Sequence, residues 1–275
     1  MFVSTDLAAK IERAEARLSV SIGRAFDARG HAGVFVEHIG TGAAVYTGPS
    51  SPINKMIGVG FDGPVEDEVL AGVEARFRAR QAPLQAEVAT LATSECAATL
   101  TRRGYILQGF ENVLGCETGD SDRPVPPGIE IGCIAEAMGR QWLDIAVTGF
   151  MHPDTQGVVP EPLPPREVLE GALEAFANVP GFLYYLATIG GEIAGVATMR
   201  LDGEVAQLCG ATTLPAFRRR GVQTALLRTR LADARRSGAR LAVMTTAPGS
   251  KSQENGQRQG FALLYSRTLL VKEPA

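Results

Sequence analysis

Between Phe182 and Leu214 the chain sets three strand-like runs around two tight glycine turns, a pattern that few folds accept. FLYYLATI (182–189) is turned by Gly190-Gly191, EIAGVATMRL (192–201) by Asp202-Gly203, and EVAQLCGATTL (204–214) follows. Two-residue Gly-Gly and Asp-Gly loops supply the positive φ of type I′ hairpin turns, so the three runs read as an antiparallel meander. After Pro215 the apolar period changes from two to that of a helix. Val222, Ala225, Leu226, Thr229 and Ala232 share one face between Gly221 and Arg236, and Ser237-Gly238 closes the helix. LAVMTT (241–246) reads as a buried strand, Ser252 to Gln259 as a short polar helix, and a last strand starts at Phe261.

Upstream of the meander, IEIGCI (129–134) suits a strand, and EAMGRQWLDIAV has helical spacing through Met138, Trp142, Ile145 and Ala146. A Pro-rich loop, VVPEPLPP, precedes a second helix at REVLEGALEAFANV (166–179), with Val168, Leu169, Ala172, Leu173 and Phe176 on one face. CETGDSDRPVPPG (116–128) breaks the composition most sharply and reads as a linker.

The first half repeats much of this order. A long amphipathic helix from Thr5 to Ala28 precedes three strand-like runs, a helix at Val65 to Arg80, a strand at Ala86 to Leu91, a short helix ending at Arg103 and a strand from Tyr105. Arg102-Arg103-Gly104-Tyr105 matches Arg258-Gln259-Gly260-Phe261 at an offset of 156, which also superposes the helix near Val65 on that at Gly221. Chance agreement of two short amphipathic helices is the alternative to an internal repeat. A chain of 275 residues has room for two modest domains or one large one, and the repeat favours two.

Composition excludes other classes. With 45% hydrophobic and 21% charged residues the chain reads as globular. No apolar run is long enough to span a membrane, and Asp, Lys, Glu and Arg interrupt the first residues, so neither a membrane span nor a signal peptide is expected and the expected compartment is cytoplasmic. Cys96, Cys116, Cys133 and Cys209 form no CxxC pair, and His31, His38 and His152 have no metal spacing, so no metal site is expected. The net charge of −3 gives no basic nucleic-acid surface. It divides unevenly: residues 1–128 carry −4 and residues 129–275 carry +1, with the dense basic run at Arg218-Arg219-Arg220.

That run sits where a strand ends, a turn follows and a helix begins at Gly221. Unpaired N–H groups and the positive end of a helix dipole converge there, and Gly221 lets an anion approach the backbone. Positive side chains at a helix start are unfavourable alone, so an anion gives the three arginines a purpose; a solvated basic turn is the plainer alternative.

Arg218-Arg219-Arg220-Gly221-Val222-Gln223 resembles the pyrophosphate loop, Q/R-x-x-G-x-G/A, of the GCN5-related N-acetyltransferases (GNAT). Thr213-Leu214-Pro215 resembles the end of that family's fourth strand, and SQENGQRQGFALLY (252–265) its second cofactor motif and final strand. Gln223 departs from the usual Gly or Ala. The resemblance implies an α/β (α+β) fold of two GNAT-like domains, each a mixed, mostly antiparallel sheet flanked by helices. They are expected at 1–118 and 129–275, joined by a linker at 119–128. It also implies an enzyme that moves an acetyl group from acetyl-CoA to a primary amine of a small molecule or peptide. Backbone at Thr212 and Thr213 would pair with the pantetheine arm, that of Arg218, Arg219, Arg220, Gly221, Val222, Gln223 and Thr224 would bind the pyrophosphate, and Asn255 would contact the cofactor or order the chain beside it. Tyr265 would stand near the sulfur as general acid.

Without the resemblance, Tyr265 reads as a half-buried strand tyrosine and Asn255 as a helix-surface amide. Glu204 is a candidate base, acting directly or through water, though a surface hairpin carboxylate is the plainer explanation; Glu192 is a weaker candidate. His152 borders the Pro-rich loop, where, with Trp142 and Phe150, the acceptor pocket has its candidate walls. In the first half the same offset sets Asp62-Gly63-Pro64-Val65 against the arginine loop and Gly109 against Tyr265. Asp62, Glu66, Asp67 and Glu68 would repel a pyrophosphate, so residues 1–118 are expected to be a degenerate domain that binds no cofactor. A non-catalytic CoA-sensing or partner-binding module, and a transferase using a hydroxyl acceptor or another acyl-CoA, are the alternatives. The oligomeric state stays open.

Overall fold

A computed structural model describes residues 2–119, 124–134, 140–158, 164–176 and 179–274. In chain order the elements are α1 (Thr5–Ala28), β1 (Phe35–Ile39), β2 (Gly42–Tyr46), β3 (Lys55–Ile57), α2 (Asp67–Arg78), β4 (Leu84–Ala89), α3 (Ser94–Arg102), β5 (Ile106–Glu117) and β6 (Glu130–Ile134). These are followed by α4 (Arg140–Met151), α5 (Arg166–Phe176), β7 (Phe182–Ile189), β8 (Glu192–Asp202), β9 (Val205–Thr213), α6 (Val222–Arg236), β10 (Leu241–Thr246), α7 (Lys251–Arg258) and β11 (Ala262–Lys272). Residues 135–139, with Met138, the Pro-rich residues 159–163, the linker residues 120–123, positions 177–178 and the side chain of Phe176 lie outside the described residues. Among the described residues no helix is long and apolar enough to cross a membrane.

The chain forms two compact units, Phe2–Glu111 with Leu264–Ala275, and Asn112–Leu263. This corrects the boundaries expected at 118 and 129, because the divisions fall inside β5 and β11. Residues 112–117 of β5 pair antiparallel with β10, from Asn112↔Thr246 to Glu117↔Leu241, which binds them to the second unit. That pairing also takes Cys116 and Glu117 out of the expected linker. The C-terminal part of β11 pairs antiparallel with β4, from Arg267↔Ala89 to Lys272↔Leu84, and Leu270 enters the first unit's core.

In the first unit, Ser4 caps α1 by accepting from the Leu7 N–H at 3.2 Å. Ile11, Leu18, Ile22 and Phe26 mark its buried face at helical spacing. Gly23 brings the helix onto the sheet so closely that a Cβ would lie 2.6 Å from Val36 Cγ2. Strands β1, β2 and β3 form an antiparallel meander, and β3 runs parallel to β4. Phe35, Tyr46 and Phe77 meet edge-to-face or stacked at its centre.

In the second unit β7, β8 and β9 form the antiparallel meander that the glycine turns foretold, β6 adds antiparallel to β7, and β9 starts out parallel to β10. The strands of each unit therefore pair in a mixed pattern, and helices flank them. Successive strand residues face opposite sides. Tyr185 joins Met199, Ala206, Val222 and Leu226 in the core under α6, while Tyr184 meets Trp142 of α4 edge-to-face at 5.7 Å.

Candidate functional site

Everything distinctive in the second unit happens where β9 leaves β10. The two strands pair from Val205↔Leu241 to Gln207↔Val243, and among the described residues share no further pair, although β9 runs on to Thr213 and β10 to Thr246. The cause lies on the other edge of β9. Thr198 pairs with Cys209 and Val196 with Thr212, so Gly210 and Ala211 together oppose Ala197 alone. Such a bulge bends and twists its strand. Gly210 sits at φ +50°, and a Cβ there would lie 3.2 Å from Thr198 Oγ1, so glycine suits the position twice over.

At its far end β9 passes into a 3₁₀ turn at Pro215–Phe217, then Arg218 in extended conformation, Arg219 at φ 62° and Gly221 at φ 87°. Gly221 is the N-cap of α6, no side chain caps the helix, and its first turn holds no acidic residue. The leading N–H groups of α6 are thus presented to an incoming anion, with the helix dipole behind them. An anionic ligand with a long flexible arm fits this arrangement: the anion on the helix start, the arm against the unpaired edge of β9.

The site residues expected from sequence are placed unequally. Thr212 and Thr213 are buried at the end of β9, and Gly149 lets α4 approach so closely that a Cβ would overlap the Thr212 hydroxyl. Gln223 donates through Nε2 to Thr213 Oγ1 at 3.2 Å, tying the helix start to the strand end. This is a structural use for the departure from Gly or Ala. Arg218 donates to the backbone carbonyls of His152 and Pro153, Arg220 lies over the Phe217 ring at 5.3 Å, and Arg219 is exposed. Val222 is buried, Thr224 half-buried, and Asn255 half-buried on α7.

Glu204 does not come to this place. It lies on the exposed turn before β9, its Oε1 3.2 Å from Arg240 Nε, and Thr212 is eight residues away along the strand. At about 3.3 Å per residue that is roughly 26 Å, which corrects its expected role as a base near the acyl group. Glu192, by contrast, starts β8 at the end where Gly195 pairs with Thr213, and is exposed.

Tyr265 lies in the first unit, 5% exposed, and donates its hydroxyl proton to Glu12 Oε1 at 2.7 Å. Arg267 Nε donates to the same oxygen, also at 2.7 Å. Burial and the Glu12 charge drive the phenol well above its usual range, so its proton is held in a packed network and not offered as an acid.

Two features of the site were not foreseen. One is the bulge at Gly210, whose signal was an isolated glycine inside a strand pattern. The other is Arg230, one turn beyond Leu226 on the apolar side of α6 and 1% exposed. Its Nη1 donates to Thr198 O at 3.0 Å and Cys209 O at 3.4 Å, and its Nε to Leu226 O at 3.1 Å. Burial pushes its pKa down to about 10, which leaves it charged at neutral pH.

Known proteins give the geometry a context. Residues 147–261 match the family described as "Acetyltransferase (GNAT) family". A GCN5-related N-acetyltransferase from Kribbella flavida superposes with a TM-score of 0.66 at 17% identity, covering 94% of this chain and 95% of its own. A tandem GNAT protein from the clavulanic acid biosynthesis pathway gives 0.62 at 14% identity, covering 85% and 79%. A GCN5-related N-acetyltransferase from Sphaerobacter thermophilus gives 0.55 at 16%, covering 75% and 67%. No curated protein matches the sequence significantly. The splayed strands, the uncapped glycine-led helix and this match agree on one stretch of chain: residues 147–261 are a domain of the acetyltransferase (GNAT) family.

Proposed function

We propose that the second unit transfers an acetyl group from acetyl-CoA to a primary amine of a small molecule or peptide. The observation that carries this reading is the divergence of β9 from β10 beside the uncapped start of α6. Backbone N–H groups from Gly221 to Thr224 would hold the pyrophosphate, with Arg219 and Arg220 adding charge from the turn. The unpaired edge of β9 at Thr212 and Thr213 would pair with the pantetheine arm. Acetyl-CoA supplies an activated thioester. The amine lone pair forms the C–N bond, the C–S bond breaks with its electron pair on sulfur, the nitrogen loses a proton to solvent, and the thiolate takes one up. A thiol near pKa 8.5 is a leaving group that water can reprotonate, so no dedicated acid is required.

The first unit is proposed to bind no cofactor. Calorimetric titration of the full chain with acetyl-CoA tests both statements: one site per chain is expected, and no binding, or two sites, overturns them. Thioester consumption in the presence of amines, amino acids, peptides and alcohols then identifies the acceptor. The engagement of Tyr265 by Glu12 favours one second reading, a CoA-binding module without turnover. Binding with no thioester consumption across that panel would establish it.

A further inference from the structure

We propose that Arg230 is a positioning residue for acyl transfer, its charge held on the Cys209 carbonyl so that the adjoining Gly210 N–H becomes a strengthened donor to the thioester oxygen. This rests on the acetyl-CoA reading above.

The geometry is local and specific. Thr198 and Cys209 are the last register partners before the bulge, and the Arg230 Nη1 bridges their two carbonyls. Among the described residues its hydrogen bonds go to backbone carbonyls and none to a carboxylate. A guanidinium buried without a counter-ion is costly, and an apolar side chain of similar length fills such a space more stably. The position is therefore expensive for a purely structural brace.

The Cys209 carbonyl and the Gly210 N–H belong to one planar trans peptide, whose C=O and N–H point in opposite directions. A cation on the oxygen draws electron density through the amide and strengthens the N–H as a donor. With its oxygen on the Arg230 Nη1 that also holds the Thr198 carbonyl of β8, this peptide directs its N–H away from β8. Gly210 has no register partner in β8, and β9 has none in β10 beyond Gln207, so the N–H faces the unpaired edge of the strand. As an amine attacks, negative charge gathers on the thioester oxygen, and a preorganised donor there is worth most. Arg230 touches neither substrate nor thioester; it acts through the peptide.

The test uses the full chain and acetyl-CoA carrying ¹³C at the thioester carbonyl. In isotope-edited infrared spectra the carbonyl stretch is expected to fall on binding to the native protein. Arg230→Met should hold acetyl-CoA within about 3-fold of native affinity by calorimetry, since the pyrophosphate contacts are untouched. It should lose half or more of the infrared shift, and Arg230→Lys should restore part of it. A folded Arg230→Met protein with the native shift overturns the proposal. If Arg230→Met does not fold, Arg230→Gln replaces it as a neutral donor, and a native shift there likewise overturns it. Native protein that binds acetyl-CoA without any carbonyl shift removes the role of Arg230 but leaves the acetyl-CoA reading standing. Native protein that binds no acetyl-CoA overturns that reading and this role together.

Discussion

The two units share an element order, and they treat the same joint in opposite ways. In the second unit β9 parts from β10 after Gln207 and a bare glycine starts α6. In the first, β3 and β4 stay together: beyond their Ile57↔Glu87 pair, the Thr93 N–H still donates to Gly60 O at 2.8 Å. A Cβ on Gly60 would lie 2.9 Å from that of Cys96, so the corresponding space is filled. Where the second unit has its arginine turn, the first has Asp62, held by the Thr41 hydroxyl and N–H and by Arg13, which together keep its carboxyl below the usual range. Glu66 is the N-cap of α2, and Asp67 and Glu68 fill its first turn. Carboxylates there satisfy the helix dipole that the second unit leaves for a ligand. The joint can be spent on stability or on binding, and each unit makes one of these choices.

The largest expected effect comes from breaking the first unit's choice. Glu12, Glu87 and Arg267 are each 2% exposed or less, and Arg267 reaches both carboxylates, with Lys55 on Glu87 from the other side at 2.8 Å. Arg267→Ala leaves the buried Glu12 carboxylate without its cation and Glu87 with Lys55 alone, and should cost about 3–5 kcal/mol in urea unfolding. A loss under 1 kcal/mol would show the network to be incidental.

Next comes conversion of the second unit to the first unit's chemistry. Gly221→Asp places a carboxylate where the anion belongs and a side chain at φ 87°. Acetyl-CoA affinity should fall about 100-fold or more, near 2.7 kcal/mol, measured by calorimetry. The reverse change, neutralising Glu66, Asp67 and Glu68 together, should create no second site, because Gly60 and Cys96 still close the joint; a stoichiometry of two would break the comparison.

A smaller effect separates the units by pH. Burial, then the Glu87 charge, push Glu111 up to about 7 in the first unit, against the pull of Lys55 and Arg267. A carboxyl whose folded pKa is raised favours folding while protonated, and that contribution is lost as pH rises from its unfolded value near 4.5 through about 7. Glu111→Gln should therefore gain on the native protein in urea midpoint between pH 5 and pH 8. A constant difference across that range would remove Glu111 as the cause.

Much of this contrast was legible in the residues. The Gly-Gly and Asp-Gly turns set β7, β8 and β9, and the arginine turn before Gly221 marked the helix start, because these are local rules of φ and charge. Sheet membership was not legible: alternation along β11 says which face is buried, not that Arg267 onward pairs with β4. The burial of Tyr265 against Glu12 was hidden for the same reason. The motif that holds Tyr265 is local, while the Glu12 that accepts its hydrogen bond is far away in sequence. Arg230 was hidden differently, since a cation on the apolar side of a helix contradicts the pattern used to find the core.

The smallest expected effects fall on two residues of the second unit, and they sharpen the comparison by their size. Gln223→Ala removes one neutral hydrogen bond between α6 and Thr213. Such a bond is worth about 0.5–1.5 kcal/mol, so acetyl-CoA affinity should fall about 2- to 10-fold, far less than for Gly221→Asp. Glu204→Gln should do less still. Its carboxylate and the Arg240 guanidinium are 47% and 83% exposed, where solvent screening leaves an ion pair little net value. Because Glu204 precedes β9 at the end still paired with β10, whatever enters between the strands does so at the other end. Thioester turnover and its pH profile should be those of the native protein. A loss of turnover at high affinity, or a missing basic limb in the profile, would mean that chemistry takes place at the paired end of β9, and the contrast between an open and a closed joint would then no longer explain which unit is active.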